Sequence, residues 1–225
     1  MDDPKFHIVF PKDGTTDFLQ GIIDYLIDEA DADIKVHRLE TAKEHEYFLS
    51  NAEEDIPDTA IVIFMGHGMS SALSGADTPE YSYNGAFIKN EQLSIFKNKK
   101  VILLSCRSTD YLETYFTECN LKAGIGFPNL ITDIQDTYYP DDPDRVKGVL
   151  APDILLFRQL IVDILKYSLE DFIKYNLPFY QIFTRIQLRV QRALINFYKE
   201  NIGVELLPLG KMIYDLNKGL SFRGN

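Results

Sequence analysis

Two residues in this sequence stand where nucleophilic chemistry could begin. His67 follows the apolar run Ile61-Val62-Ile63-Phe64-Met65 and lies between Gly66 and Gly68. Glycines on both sides let the backbone of such a turn approach a ligand closely. Cys106 follows a second apolar run, Val101-Ile102-Leu103-Leu104, and then Ser105, and it precedes a helical pattern that starts near Thr109. A thiol near a helix N-terminus is biased toward thiolate, its nucleophilic form. An imidazole and a thiol on one rim of a sheet are what nucleophilic catalysis needs. The remaining histidines read as structural, because His7 and His37 fall inside strand patterns and His45 on a polar helix. Cys119 lies on a helical pattern, as a buried cysteine does.

Both residues need elements to place them. Phe6 to Phe10 reads as a buried strand closed by Pro11 and the turn Asp13-Gly14, and Thr16 or Asp17 can cap the helix that follows. Ile34 to Leu39 alternates like an edge strand with one wet face, and a polar helix runs from about Thr41 to Asn51. The strand ending at Met65 comes next. Tyr81 to Ile88 reads as a hairpin about Asn84-Gly85, a pair that accepts the positive φ angles of a tight turn. A short helix over Asn90–Phe96, the strand before Cys106, a helix over Thr109–Cys119 and a strand over Ala123–Phe127 complete this half. Such alternation implies an α/β fold with a mostly parallel sheet covered by helices on both faces, with sites at the carboxyl ends of the strands. The polar stretch from Thr132 to Gly148 reads as a long loop, mobile over 133–148, and a helical region (152–200) follows, broken at Pro178. The last twenty residues are ambiguous. The whole chain, 1–225, reads as a single domain.

Composition removes several classes of function. The net charge of −11 on 225 residues opposes phosphate backbones, so nucleic acid is not an expected partner. No run is long and apolar enough to span a membrane, and no leader is visible at the N-terminus. Two cysteines in unlike settings read as reduced and cytoplasmic. No cluster of His, Cys or carboxylate has metal-ligand spacing, so neither metal nor cofactor is expected. A phosphatase reading of Cys106 fails because Leu112, not Arg, stands six positions downstream. Asp13-Gly14-Thr15-Thr16 is only a faint echo of a phosphate-cradling loop.

The order of these motifs resembles the caspase-like cysteine peptidases, most closely CHAT domains, the branch that also resembles separase. Ile61 to Gly68 is similar to that family's histidine block and Val101 to Cys106 to its cysteine block. Ala123 to Phe127, followed by Leu130 to Asp133, is similar to its next strand and substrate loop, and the likeness runs over residues 55–200. Pro128-Asn129 departs from a Leu-Trp pair common in the family. The resemblance implies a caspase-like three-layer sandwich, with Cys106 as nucleophile and His67 as general acid or base. It implies an oxyanion hole from the backbone N–H groups of Gly68 and Cys106. Gly126, Phe127 and Asn129 would pair with the substrate backbone, and Asp133 would receive a basic substrate residue. It also implies a protein substrate and a regulatory protein acting in trans, in a bacterial antiviral defence or cell-death setting. The alternative is an inactive relative that serves only as an interaction module.

Overall fold

The apolar runs become strands because each of their residues meets a hydrophobic layer on one side or the other. In the computed structural model, which describes residues 5–79, 86–137, 148–203 and 207–224, β1 (Phe6–Pro11), β3 (Ile61–Met65) and β7 (Lys100–Leu104) form the middle of a six-stranded sheet. The edge strand β2 (Ile34–Leu39) lies beside β1, and β8 (Ala123–Gly126) and β9 (Ser221–Gly224) lie beyond β7, giving the order β2-β1-β3-β7-β8-β9. All pairings are parallel except that of β9 with β8. Ile63 sits opposite Ile8 on one side and Ile102 on the other, which fixes the register of the three central strands.

Alternation along these strands builds two cores. Ile8, Ile63, Met65, Ile102 and Leu104 face one, with side chains from α1 (Gln20–Asp28), α4 (Ala151–Lys174), α5 (Phe179–Glu200) and α6 (Pro208–Gly219). Val9, Val62, Phe64, Val101 and Leu103 face the other, with α2 (Ala42–Asp55), α3 (Ser108–Tyr115) and the 3-10 turn Asn90–Phe96. Helices therefore cover both faces of the sheet. Local signals set their ends: Thr41 and Glu44 form a capping box at the start of α2. Asp153 accepts the Leu150 N–H at 2.9 Å at the start of α4, and Pro178 separates α4 from α5. Among the described residues no helix is long and apolar enough to cross a membrane.

The ambiguous C-terminus is α6 followed by β9, which pairs with β8 along its whole length (Ala123↔Gly224 to Gly126↔Ser221). β8 is thus an inner strand. The hairpin about Asn84-Gly85 lies outside the described residues, but β6 (Ala86–Ile88) joins β4 (Gly68–Met69) and β5 (Ala72–Ser74) in a small antiparallel sheet. Of the long loop, 138–147 lie outside the described residues. The portion before it carries one 3-10 turn, Gln135–Thr137.

Gly126 shows how tightly β8 is held. A Cβ there would meet Ser108 O, Thr109 Cα and Thr109 N, each at 2.9 Å, and these are backbone atoms of α3 that cannot swing aside. The Gly126→Ala variant is expected to lose about 1–3 kcal/mol of unfolding free energy in urea titration through overpacking. A loss below a few tenths of a kcal/mol would show that β8 and α3 are not in close contact.

Candidate active site

Parallel strands end on a common rim, and three turns at that rim carry the chemistry. After β1 the chain turns through Asp13, Gly14 and Thr15. The Asp13 side chain is only 2% exposed, and buried charge requires partners. Oδ1 accepts the backbone N–H groups of Thr15 (2.9 Å) and Thr16 (3.1 Å) and the Thr15 hydroxyl (2.6 Å). Oδ2 accepts the Asp77 N–H at 3.1 Å and lies 3.3 Å from Nε2 of His67. Thr15 Oγ1 is itself 2.7 Å from that nitrogen. The single hydroxyl hydrogen of Thr15 goes to Asp13, so Thr15 accepts from Nε2–H, which it shares with the carboxylate. In the neutral ring the proton therefore sits on Nε2, and Nδ1 is left as the base.

Charge follows the same arrangement. Burial alone would raise the Asp13 carboxyl, but hydrogen bonds from His67 and Thr15 and the His67 charge hold it well below the usual carboxylate range. The hydrogen bond to Asp13 raises His67 above its ordinary value against the opposing effect of burial, with help from Asp136 and Asp77. His45 contrasts with His67. Its Nδ1 donates to Thr41 O at 2.7 Å and its Nε2 accepts from the Ala76 N–H at 3.1 Å, which locks it neutral in the core, as its structural reading required.

Cys106 stands where β7 turns into α3. The next residue, Arg107, has a left-handed φ of 57°, so the turn from strand to helix is sharp. The half-buried thiol donates to Leu130 O at 3.2 Å and makes no hydrogen bond to His67. Burial, with Asp136 adding to it, pushes the thiol up to about 12 against the opposing pull of the Leu130 backbone hydrogen bond and the Arg107 charge. His67 and Cys106 nonetheless line one small pocket of about 20 Å³, with Ser105, Leu130 and Thr132.

Gly68 begins β4 against this corner. A Cβ on it would meet Ser105 Oγ at 2.7 Å and Cys106 O at 3.0 Å, so only glycine fits. Ser74 N–H donates to His67 O at 3.0 Å. Alternation in an antiparallel pair then turns the Gly68 N–H away from β5. Ser105 Oγ is buried beside it without a hydrogen-bond partner among the described residues.

A wider cleft of about 340 Å³ opens beside His67, lined by Asp13, Thr15, Asp77, Asp133 and Asp136. Asp133 is in this cleft, but its carboxylate is already paired with Arg158 of α4 at 3.2 Å. Gly126 and Phe127 depart from the expected substrate strand. Gly126 lies between β7 and β9, and Phe127 is a core side chain. The Phe127 N–H donates to Ser108 Oγ at 2.8 Å and its carbonyl accepts from the Thr109 N–H at 3.0 Å, leaving its backbone nothing to offer a substrate. Asn129 is half-buried, with Nδ2 lacking a partner among the described residues. Sequence reasoning passed over Asp13 and Thr15. The available signal is an Asp-Gly at the carboxyl end of a buried strand, which by itself reads as a turn or a faint phosphate-loop echo.

Among the described residues no three His, Cys, Asp or Glu side chains group as metal ligands. Compared with known proteins, the chain matches no family model and no curated protein sequence.

The Asp13→Asn variant keeps the shape of the turn and removes its charge. The His67 pKa, followed by NMR titration of the ring protons, is expected to fall to or below its ordinary value, since the burial penalty remains. Because Asp13 raises that pKa, the stability from this pair is fully present below pH 6.5 and is lost as pH rises through the folded value. The variant should therefore be more destabilised at pH 5.5 than at pH 8.5. Equal destabilisation at both, or an unchanged His67 titration, would contradict the pairing.

Proposed function

We propose that this chain is a cysteine endopeptidase of the caspase-like, CHAT-type kind, with Cys106 as nucleophile and His67 as its acid and base. One observation carries the reading: His67 is held through Nε2 by a buried carboxylate, with no hydrogen bond at Nδ1 among the described residues, in the pocket it shares with Cys106. A fixed base beside a nucleophile and oriented by a third group is the arrangement covalent catalysis requires.

The steps follow from these atoms. Cys106 gives its proton to His67 Nδ1 as Sγ bonds to the scissile carbonyl carbon, and the π pair moves onto oxygen. The N–H groups of Gly68 and Cys106 receive that oxygen. Collapse of the adduct breaks the C–N bond, and the leaving amine takes the proton from Nδ1. Water then attacks the thioester, giving one proton to His67; the C–S bond breaks with its electron pair on Sγ, and His67 returns the proton to restore the thiol. Asp13 stabilises the imidazolium throughout and keeps its own charge. Asp77 and Asp136 supply the negative potential of the cleft and favour a basic segment of a protein substrate. The resemblance adds a regulatory protein partner in trans and a cytoplasmic role in antiviral defence or cell death.

A second reading has its own observation. The protonated Cys106, bonded to Leu130 rather than to His67, suits a caspase-like module that binds a partner without cutting it. Mapping of cut sites in a peptide library separates the two. The peptidase reading expects cuts that fall by at least about 10³-fold in both Cys106→Ala and His67→Ala, and by about 10²–10⁴-fold in kcat for Asp13→Asn. Cuts that persist in Cys106→Ala would overturn it, and the absence of cuts both in the wild type and in Arg158→Ala, which breaks the Asp133 pair, supports the binding module.

A further inference from the structure

The state of Cys106 is set by the segment that follows β8. Leu130 and Thr132 line the Cys106 pocket, and the Leu130 carbonyl takes the thiol proton into a hydrogen bond. A carbonyl only accepts, so this bond takes the neutral thiol as its donor, and the segment that places Leu130 also covers the sulfur.

Two groups hold it. Asp136 Oδ2 accepts the N–H groups of Thr132 and Asp133, both at 2.8 Å, and so folds the segment on itself. Arg158 ties the folded segment to α4, with Nε donating to Thr132 O and Nη2 to Asp133 Oδ2 at 3.2 Å. The guanidinium also lies 5.0 Å from the ring centroid of Phe18. A planar fork that reaches two acceptors and rests on an aromatic face is a contact that lysine cannot reproduce.

We propose that Arg158 is a positioning residue: by clamping Thr132 and Asp133 it keeps the Leu130 carbonyl on the Cys106 thiol, and the nucleophile is released only when this segment lifts. The inference rests on the reading of Cys106 as the nucleophile. It explains why Asp133 faces the cleft with its charge already matched, and why the pocket at Cys106 is small beside the wider acidic cleft. The charged groups acting on Cys106 are Asp136, which pushes the thiol up, and Arg107, which pulls it down, with His67 across the pocket. The neighbouring Phe18, Leu19 and Ile161 carry no charge.

The test is the rate of Cys106 alkylation by iodoacetamide across pH 6–11 on the full chain, read by mass spectrometry, with buried Cys119 as the internal control. In the wild type Cys106 should react slowly throughout. Arg158→Ala should raise its rate at pH 7.5 by about tenfold or more and bring the midpoint down toward the ordinary thiol value of about 8.5, with Cys119 unchanged. Arg158→Lys should fall between the two. Asp133→Asn, which leaves α4 intact, should raise the rate in the same direction and serves if Arg158→Ala fails to fold. A wild-type Cys106 as reactive as free cysteine would overturn the clamp. So would an unchanged rate in every one of these variants that unfolds cooperatively. The readout needs no peptide cleavage, so failure of the clamp and failure of the peptidase reading are told apart by the Cys106→Ala cleavage control.

Discussion

Parallel pairing of β1, β3 and β7 is the constraint on which the site depends. Strands that run in one direction must end together, and here the common end gathers Asp13, His67 and Cys106 from positions far apart in the chain. The register of Ile8, Ile63 and Ile102 is fixed because a slip of one residue would turn every apolar side chain to the wrong core. Two hydrophobic layers, each sealed by helices, thus determine where an imidazole and a thiol meet. The packing is remote from the chemistry, yet it sets its geometry.

Within that frame, Asp13 solves a local problem and creates a functional one. A carboxylate buried this deeply must be surrounded by donors, and the Thr15, Thr16 and Asp77 backbone groups supply them. Oδ2, which accepts the Asp77 N–H, also faces His67, so satisfying the carboxylate fixes the tautomer of the ring. Cys106 is handled in the opposite sense. The same low-polarity setting that strengthens the Asp13–His67 bond suppresses the thiolate, with Asp136 adding to it, while the thiol donates to the Leu130 carbonyl. One rim therefore holds an oriented imidazole and a protonated thiol.

Much of this was readable from residue order. The apolar runs at Ile61 and Val101 could be little else than buried strands, and the alternating polarity of Ile34 to Leu39 marked an edge. His67 and Cys106 stood out because each followed such a run. The rest required three dimensions. Nothing in the last twenty residues announced that Ser221–Gly224 would pair with β8, and that pairing takes Gly126 from a substrate's reach, as the start of α3 takes Phe127. Asp133 was legible as an acid near the site, but Arg158 lies a whole helix-containing segment away in sequence, and only α4 brings the two together. Asp13 looked like an ordinary turn residue because its partner, His67, lies 52 residues beyond Thr15.

The central claim is that Cys106 forms a bond to its substrate, and acid-quenched mass spectrometry of the chain during turnover of a cleaved peptide tests it most directly. The account predicts an acyl adduct, equal in mass to the amino-terminal product less water, on the fragment that contains Cys106 and absent from His67→Ala. Peptide cleavage that proceeds with no adduct on Cys106, or with the adduct on Cys119, would contradict it.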